Sequence, residues 1–499
     1  MPNVEQLEFR PRLPVVLGNA DYHQYEERLL RMDELLRQSG LVAAFVERCT
    51  AQWLQQLKTQ AAHAGKRFRE PSAKQLARYQ RMCRQALRCN LARQWTGKEY
   101  RAFSLRLAES APLQWFCQVD RLEQVRVPSK STLERYDKLM PETEVRALVD
   151  RLNRTAVDEA QRMELEQALR MDVVLADTTC IEANIHFPTD WVLLRDAVRT
   201  LVKAVKVIRR HGLKYRMPDP DQFLRQINRL SIEMGQSRRR ADSVKRRKVV
   251  LRRMKVLAKQ VKAHAQRYAQ RLQADWREQT DLHEGEMKRI AARIAGVVDQ
   301  LPAAIRQAHE RIIGGRKLEN HEKILSLYEP DVHVIVRHKA GAEVEFGNTL
   351  LLAEQEDGLI VDWNLNKESS PGDIALMKES LLRMKQVFGR YPASVGGDRG
   401  FASKASHRWL ESEGIHDANC PRDPQELSRR MQDKTFRRIQ KRRAQTEARI
   451  GIVKNAFLGA PLRSKGFEHR ELTVTWAVLT HNLWLLAGLP KEPALAKAA

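Results

Sequence analysis

The chain has 499 residues, 42% hydrophobic and 30% charged, and its 88 Lys and Arg against 62 Asp and Glu leave a net charge of +26. That length suits about three domains at ~150 residues each, and the cationic excess favours a polyanion as partner, with DNA or RNA first and an anionic membrane surface a distant second. A leader without an apolar stretch, no run of about 18 apolar residues and six scattered cysteines without a CxxC pair argue against a secretory signal, a membrane span and a zinc ribbon, so a reduced, cytoplasmic protein is expected.

Residues 1–20 read as an extended arm, and 24–108 as helical throughout, with apolar residues at three- and four-residue spacing in SGLVAAFVERCTAQWLQQL. Residues 109–145 read as helix, turn, helix, with Ser129 or Ser131 capping the second helix. In a DNA-binding helix-turn-helix that helix enters the major groove, which turns Ser129, Lys130, Thr132 and Arg135 toward bases; an ordinary helical hairpin is the alternative. Residues 172–177 are a strand candidate. After HFPTD, where Thr189 or Asp190 can cap, a helical block runs from about 190 to 315. Within it Leu251, Met254, Ala258, Val261, Ala265, Tyr268 and Leu272 form a seam. Other faces carry a dense run of cations, among them Arg246, Lys248, Arg252, Lys255 and Lys259. Cations at i,i+4 repel one another, and a DNA backbone relieves the repulsion.

Beyond Gly314-Gly315 the period changes to two. DVHVIVRHK, AEVEFGNTLLLAEQ and GLIVDWNLN read as strands joined by turns at Ala340-Gly341 and Asp357-Gly358. A helix with Pro371 and Asp373 near its start follows, then the strand YPASVGGD, a helix over FASKASHRWLESEG, the short strand IHDANC, a basic helix within 423–458 and a final apolar helix. This order resembles an α/β ribonuclease H-like catalytic domain, a mixed five-stranded sheet with flanking helices, preceded by an all-α N-terminal region and split by a large helical insertion after the first strand. The expected division is 1–100 (helical N-terminal region), 101–165 (helix-turn-helix-like DNA-binding region), 166–190 (first catalytic strand), 191–325 (insertion), 326–488 (rest of the catalytic domain) and 489–499 (flexible tail).

Three acids stand at positions suited to phosphodiester chemistry: Asp177 after a strand, Asp398 in VGGDRGF and Glu447 in a basic helix. Mg²⁺ takes oxygen ligands and keeps several waters, so a few carboxylates suffice, and two such ions about 3.5–4 Å apart stabilise the entering and leaving oxygens. At ~100° per residue, Arg443, Glu447 and Lys454 share one helical face, two cations flanking an acid. No Gly-x-x-x-x-Gly-Lys-Ser/Thr loop occurs, so no nucleotide cofactor is expected.

With DTTCIEANIHFPTDWVLL, GGDRGF and the run Arg443–Glu447–Lys454 followed by LRSKGFEHR and THNLW, the chain resembles the DDE transposases encoded by bacterial insertion sequences. One branch of that family carries Tyr, Arg, Glu and Lys at fixed gaps; Arg443, Glu447 and Lys454 fit it, and Gln440 stands at the Tyr position. The resemblance implies a nucleoid-associated bacterial enzyme in which Asp177, Asp398 and Glu447 bind Mg²⁺, with Mn²⁺ as substitute. It also implies cleavage at element ends, transfer of the 3′-hydroxyl to target DNA, and a homodimer or higher oligomer on double-stranded DNA. Arg399, Arg443 and Lys454 become phosphate contacts. Two other readings stay open: a non-catalytic sequence-specific DNA-binding protein, and a nuclease of the same fold without strand transfer.

Overall fold

The structure, a computed structural model, describes residues 16–120, 124–237, 242–339, 342–369, 371–459 and 461–490. Most of the N-terminal arm, most of the tail and the Ala340-Gly341 turn therefore lie outside the described residues. The first helices are α1 (Ala20–Gln38), α2 (Leu41–His63), α3 (Ala73–Thr96) and α4 (Tyr100–Glu109). The region 24–108, expected to be helical throughout, is divided into these four helices; the longest interruption lies between α2 and α3, where Ser72 and Gln75 form a reciprocal capping box that starts α3 afresh.

Next come the short α5 (Ala111–Cys117) and α6 (Lys130–Asp137), then α7 (Glu142–Asp158). Ser129, rather than Ser131, caps α6, its side chain accepting the Thr132 N–H at 3.3 Å. The C-terminal end of α6 is anchored by Asp137, which is buried. It accepts from Arg93 at 2.9 Å, Tyr100 at 2.8 Å and His469 at 3.1 Å.

The sheet is mixed. β1 (Val173–Glu182) pairs antiparallel with β3 (Ala342–Gln355), and β3 pairs antiparallel with both β2 (His333–Lys339) and β4 (Ile360–Leu365). On its other edge β1 pairs parallel with β5 (Ser394–Gly396), which pairs parallel with β6 (His416–Asp417). The sheet thus has six strands among the described residues, one for each strand segment read from the sequence, where a five-stranded sheet was expected. Because β3 is 14 residues long, β2 and β4 lie end to end along the same edge, and the sheet is five positions wide. β1 continues past 177 because Thr178–Glu182 keep their register with Gly347–Leu351. Asp177 therefore sits within the strand, whereas β5 is short and Asp398 falls two residues beyond it.

Alternation along β1 divides its side chains between two layers. Val174 and Ala176 join the large core that also contains Leu29, Phe45, Leu87, Leu152, Trp363 and Leu479. That core therefore holds the N-terminal helices, one face of the sheet, α12 (Asp373–Phe388) and the final helix α16 (Phe467–Leu486) together. Val173 and Leu175 face the opposite layer, where they meet Phe436 and Ile439 of α15 (Lys434–Ile452). Between β5 and α15 lie α13 (Lys404–Ser412) and α14 (Pro424–Arg430).

Between β1 and β2, where the insertion was expected, lie α8 (Asp190–Arg210), α9 (Pro220–Gln236), α10 (Ser243–Gln279) and α11 (Glu284–Ala308), with an apolar cluster of their own. All seven residues of the α10 seam are fully buried there. Thr189 occupies the N-cap of α8 without a capping hydrogen bond. Asp190 is not a cap either: it is buried and accepts from Gln307 at 2.9 Å and Arg311 at 2.8 Å, tying the insertion's entry to its exit.

A second buried acid fixes α15. Glu354 of β3, fully buried, accepts from Arg442 (3.1 Å), Thr446 (2.8 Å) and Arg449 (3.0 Å). These three recur at i, i+4 and i+7, one face of the helix. Gly358, at φ 93°, turns the chain from β3 to β4, and a Cβ there would run into the Arg449 guanidinium.

Breaking a buried ion network by removing one partner costs about 3–5 kcal/mol. Glu354→Ala is expected to lower stability by that order, read from the urea midpoint; a change below about 1 kcal/mol would show that the network contributes little. Asp137 gives a pH-dependent counterpart. Burial alone would raise its pKa, but the His469 hydrogen bond, the Arg93 charge and the Tyr100 hydroxyl hold it at about 2. Its contribution, about 2 kcal/mol, is present above the unfolded carboxylate range and lost as pH falls toward 2. The melting-temperature deficit of Asp137→Asn should therefore shrink between pH 5 and pH 2.5; a deficit constant over that range would contradict the assignment.

Candidate active site

β1 and β5 are parallel neighbours with Leu175 opposite Gly396, so two residues further along each chain Asp177 and Asp398 come level at the same end of the pair. Asp177 shares the face of Val173 and Leu175, which is the α15 face. On α15, the residues that grip Glu354 define one side. Arg443 and Glu447 each follow a gripping residue by one position and form the adjacent stripe. The sequence thus brings all three acids to one end of the sheet: two by strand register and one by helix phase.

Local turns orient the carboxylates. Asp177 accepts the N–H of Thr178 at 2.7 Å, and Asp398 Oδ1 accepts the N–H of Gly400 at 2.7 Å. The Gly-Gly before Asp398 is a packing requirement. A Cβ on Gly396 would press on Leu175 and Ile439, and one on Gly397 would meet Phe401 and the Oδ1 of Asn419. Asn419 is fully buried and that oxygen has no hydrogen-bond partner.

The electrostatics register the convergence. Burial pushes the Asp177 carboxyl up to about 6 against the Thr178 N–H bond; the nearby charges of Asp398 and Glu447 push it the same way, while Arg443 opposes. Half-buried Arg443 carries a buried Nε without a hydrogen-bond partner. Asp177 thus lies in the field of Asp398 and Glu447 with one guanidinium nearby, a like-charge repulsion that a divalent cation would relieve. Among the described residues no group of three or more His, Cys, Asp or Glu is arranged to hold a metal ion. A cation that keeps several waters and takes one or two carboxylates needs none.

The remaining candidates are distributed more widely. Arg399 is exposed beside Asp398, and its carbonyl accepts from Arg422. Lys454 is half-buried in a π-helical turn, Val453–Leu458, that continues α15, so a regular helical wheel only approximates its direction. No hydrogen bond or ion pair joins it to the acids among the described residues. Gln440, at the position of the family's Tyr, donates to the Ala418 carbonyl at 2.6 Å and so pins α15 to the sheet edge.

On α6, Ser129, Lys130 and Arg135 are exposed, although Ser129 is occupied as the cap and Arg135 donates to Thr132 at 3.2 Å. On α10, Arg252 and Lys259 are exposed and Lys248 is half-buried, while Arg246 is paired with Glu233 at 3.6 Å. Lys255 contacts His309 at 3.0 Å, and burial together with Lys259 and Arg252 lowers its pKa, the mark of a crowded cationic surface. His481 and Asn482 are structural. His481 is buried, which lowers its pKa to about 4, and Asn482 bonds both backbone groups of Ile360 and the Asn153 side chain.

Two features escaped the sequence reading. Glu354 lies in the apolar run LLLAEQ, and a lone acid there opposite an Arg/Thr/Arg stripe is a legible sign of a buried network. Asp373 reads as an ordinary helix-start acid, and only the fold brings it to Thr178, whose hydroxyl donates to its Oδ1 at 3.0 Å.

No helix among the described residues is long and apolar enough to cross a membrane. No curated protein and no solved structure matches the chain. Residues 324–483 match the family model for the transposase DDE domain, a segment that begins before β2 and ends in α16, enclosing Asp398 and Glu447 while Asp177 precedes it. Over residues 324–483, then, the chain is similar to the transposase DDE domain.

Proposed function

We propose that the protein binds the ends of a mobile DNA element, cleaves them at the Asp177, Asp398 and Glu447 site and joins the freed 3′ ends to target DNA. The observation that carries this reading is the convergence of Asp177 with the two acids of the matched domain, seen in the charge that each imposes on it. The strand positions, with β3 between β4 and β1 and the parallel pair β5–β6 on the far side, support a ribonuclease H-like core. They leave Glu447 to arrive from a helix on one face.

Asp177, Asp398 and Glu447 would hold divalent cations, Mg²⁺ or Mn²⁺. When bound, these neutralise the charge on the entering and leaving oxygens of an in-line displacement. In the first displacement the oxygen of water bonds to phosphorus and the 3′ oxygen leaves. In the second, that 3′-hydroxyl attacks a target phosphodiester, whose own 3′ oxygen leaves. Arg443, whose charge acts on Asp177 and whose buried Nε has no hydrogen-bond partner, would donate to a phosphate oxygen. Arg399 and Lys454 add positive charge around it. Exposed Ser129, Lys130 and Arg135 on α6 would meet base edges, and the α10 cations would track backbone phosphates. Pairing two ends calls for a dimer or larger assembly, with the insertion as the bridge. The division into N-terminal DNA-binding, insertion and catalytic regions follows from the same reading.

A plasmid carrying the DNA that flanks the coding sequence on both sides provides the test. With Mg²⁺, the wild type is expected to nick at the ends and give joined products. Asp177→Asn, Asp398→Asn and Glu447→Gln should each lose cleavage by at least about a hundredfold, of the order lost when a key electrostatic group is removed from an active site, while retaining DNA binding. Cleavage without joined products would favour a nuclease. Binding without cleavage by the wild type would favour a DNA-binding protein, and undiminished cleavage by the variants would reject the site.

The α10 surface has its own test. Replacing Lys248, Arg252, Lys255 and Lys259 by Gln should flatten the dependence of log affinity on log salt by about 0.9 for each DNA phosphate that is no longer neutralised. Arg246, already paired with Glu233, should matter less. An unchanged slope would remove α10 from the DNA interface.

A further inference from the structure

We propose that the outer half of the α2–α3 hairpin, residues 50–82, is an arm that grips the phosphate backbone of a DNA duplex. The inference rests on the functional reading above, that the protein binds DNA, and adds a contact surface separate from α6 and α10.

The hairpin stands clear of the core. In α2 the buried residues Leu41, Phe45, Val46 and Cys49 all lie in the first half, and in α3 burial begins at Cys83. From 50 to 82 no residue is buried. At 1.5 Å per residue, the part of α2 beyond Cys49 extends about 20 Å. Two local contacts hold the helices together: the Trp53 and Tyr79 rings stack at 4.2 Å, and the Tyr79 hydroxyl donates to the Cys49 carbonyl at 3.4 Å. Helices in proteins owe most of their stability to tertiary packing, and packing against the core does not account for this projection.

Its charge is of one sign. Glu70 is the only acid between 50 and 82. Lys66, Arg67 and Arg69 crowd the turn, while Lys74, Arg78 and Arg81 recur at i, i+4 and i+7 and so form one stripe of α3. Tyr79, stacked on Trp53, marks the side of α3 that meets α2, and the stripe lies away from it. All six cations are exposed, and none has an ion-pair partner among the described residues. Further along the same helix, by contrast, Arg88 and Arg93 are each paired with a buried Asp. Unpaired like charges at this spacing repel one another, and a polyanion relieves the repulsion. The stripe, roughly 10 Å long, faces about six phosphates of a duplex, which carries about one charge per 1.7 Å of axis.

An RNA strand offers charge of the same sign. Duplex DNA is favoured because α3 also seats α6: Asn90 donates to the Tyr136 carbonyl and Arg93 to Asp137, both at 2.9 Å. The arm and α6 are thus fixed on one helix, and a duplex that meets α6 has the arm beside it.

The test titrates the full-length protein with a labelled DNA duplex at several salt concentrations. One variant carries Lys66→Gln, Arg67→Gln and Arg69→Gln; a second carries Lys74→Gln, Arg78→Gln and Arg81→Gln. The control carries Gln52→Ala, Gln55→Ala and Gln56→Ala on α2, which are exposed and uncharged. Because every replaced side chain is exposed, thermal unfolding should not change. Each cation variant is expected to flatten the slope of log affinity against log salt by about 2 to 3, or about 0.9 per phosphate released. Its affinity at low salt should fall at least about tenfold. The glutamine variant should keep the wild-type slope and bind within about twofold of it.

If both cation variants keep the wild-type slope, the proposal fails while DNA binding through α6 and α10 stands. If affinity falls with the slope unchanged, or the glutamine variant loses as much, the arm does not grip phosphates and the proposal fails. If the cation variants alter the slope for single-stranded RNA but not for duplex DNA, the partner is RNA and the proposal is overturned. If the wild type binds no DNA at all, the functional reading falls and takes this one with it.

Discussion

The buried carboxylate of Glu354 is the constraint on which the site depends. It is fully enclosed, and ionic groups taken from water are tolerated only when their partners are close and complete. Arg442, Thr446 and Arg449 supply those partners from a single stripe of α15. A helix gripped at three points over two turns cannot rotate, so the adjacent stripe with Arg443 and Glu447 is fixed in direction. The hydrophobic contacts of Phe436 and Ile439 with Val173 and Leu175 hold the same helix down, but apolar packing is less directional than hydrogen bonds to a carboxylate. Aim comes from the ion network and adhesion from the core.

Strand register performs the corresponding task for the two Asp residues. β1 and β5 are joined by few residues, and with Leu175 opposite Gly396 their parallel pairing brings Asp177 and the turn that carries Asp398 to the same end of the pair. The tightness around Gly396 and Gly397 follows, because α15 and the Asn419 side chain occupy the space that side chains there would need. The site is thus assembled by backbone geometry on one side and a buried ion network on the other.

The insertion is joined to this core without sharing its packing. Its helices enclose their own apolar cluster, and the α10 seam is spent entirely inside it. At its base, Asp190 receives Gln307 and Arg311, so the chain leaves β1 and returns toward β2 through one clamped neck. Such an arrangement lets a large helical body carry a cationic surface without disturbing the register of the sheet. The matched segment, residues 324–483, begins only after these helices.

The sequence by itself determined what periodicity and composition encode: the α10 seam, the α6 cap at Ser129, the strand meander, the cationic excess and the three acids with their neighbouring Arg443. These depend on nearest neighbours along the chain, so local physics is enough to read them. It misjudged what depends on partners far away. Asp190 looked like a cap because a helix start was all that could be seen, whereas its partners lie more than a hundred residues on. The strand segments could be read one by one, but that β2 and β4 share one edge of β3 was decided by pairing between distant segments. Glu354 and Asp373 were ordinary acids until β3 met α15 and α12 met Thr178. Tertiary structure alone decided these, because the pKa of an acid, its burial and its companions are properties of the space it occupies, and that space is built from segments that the linear order keeps apart.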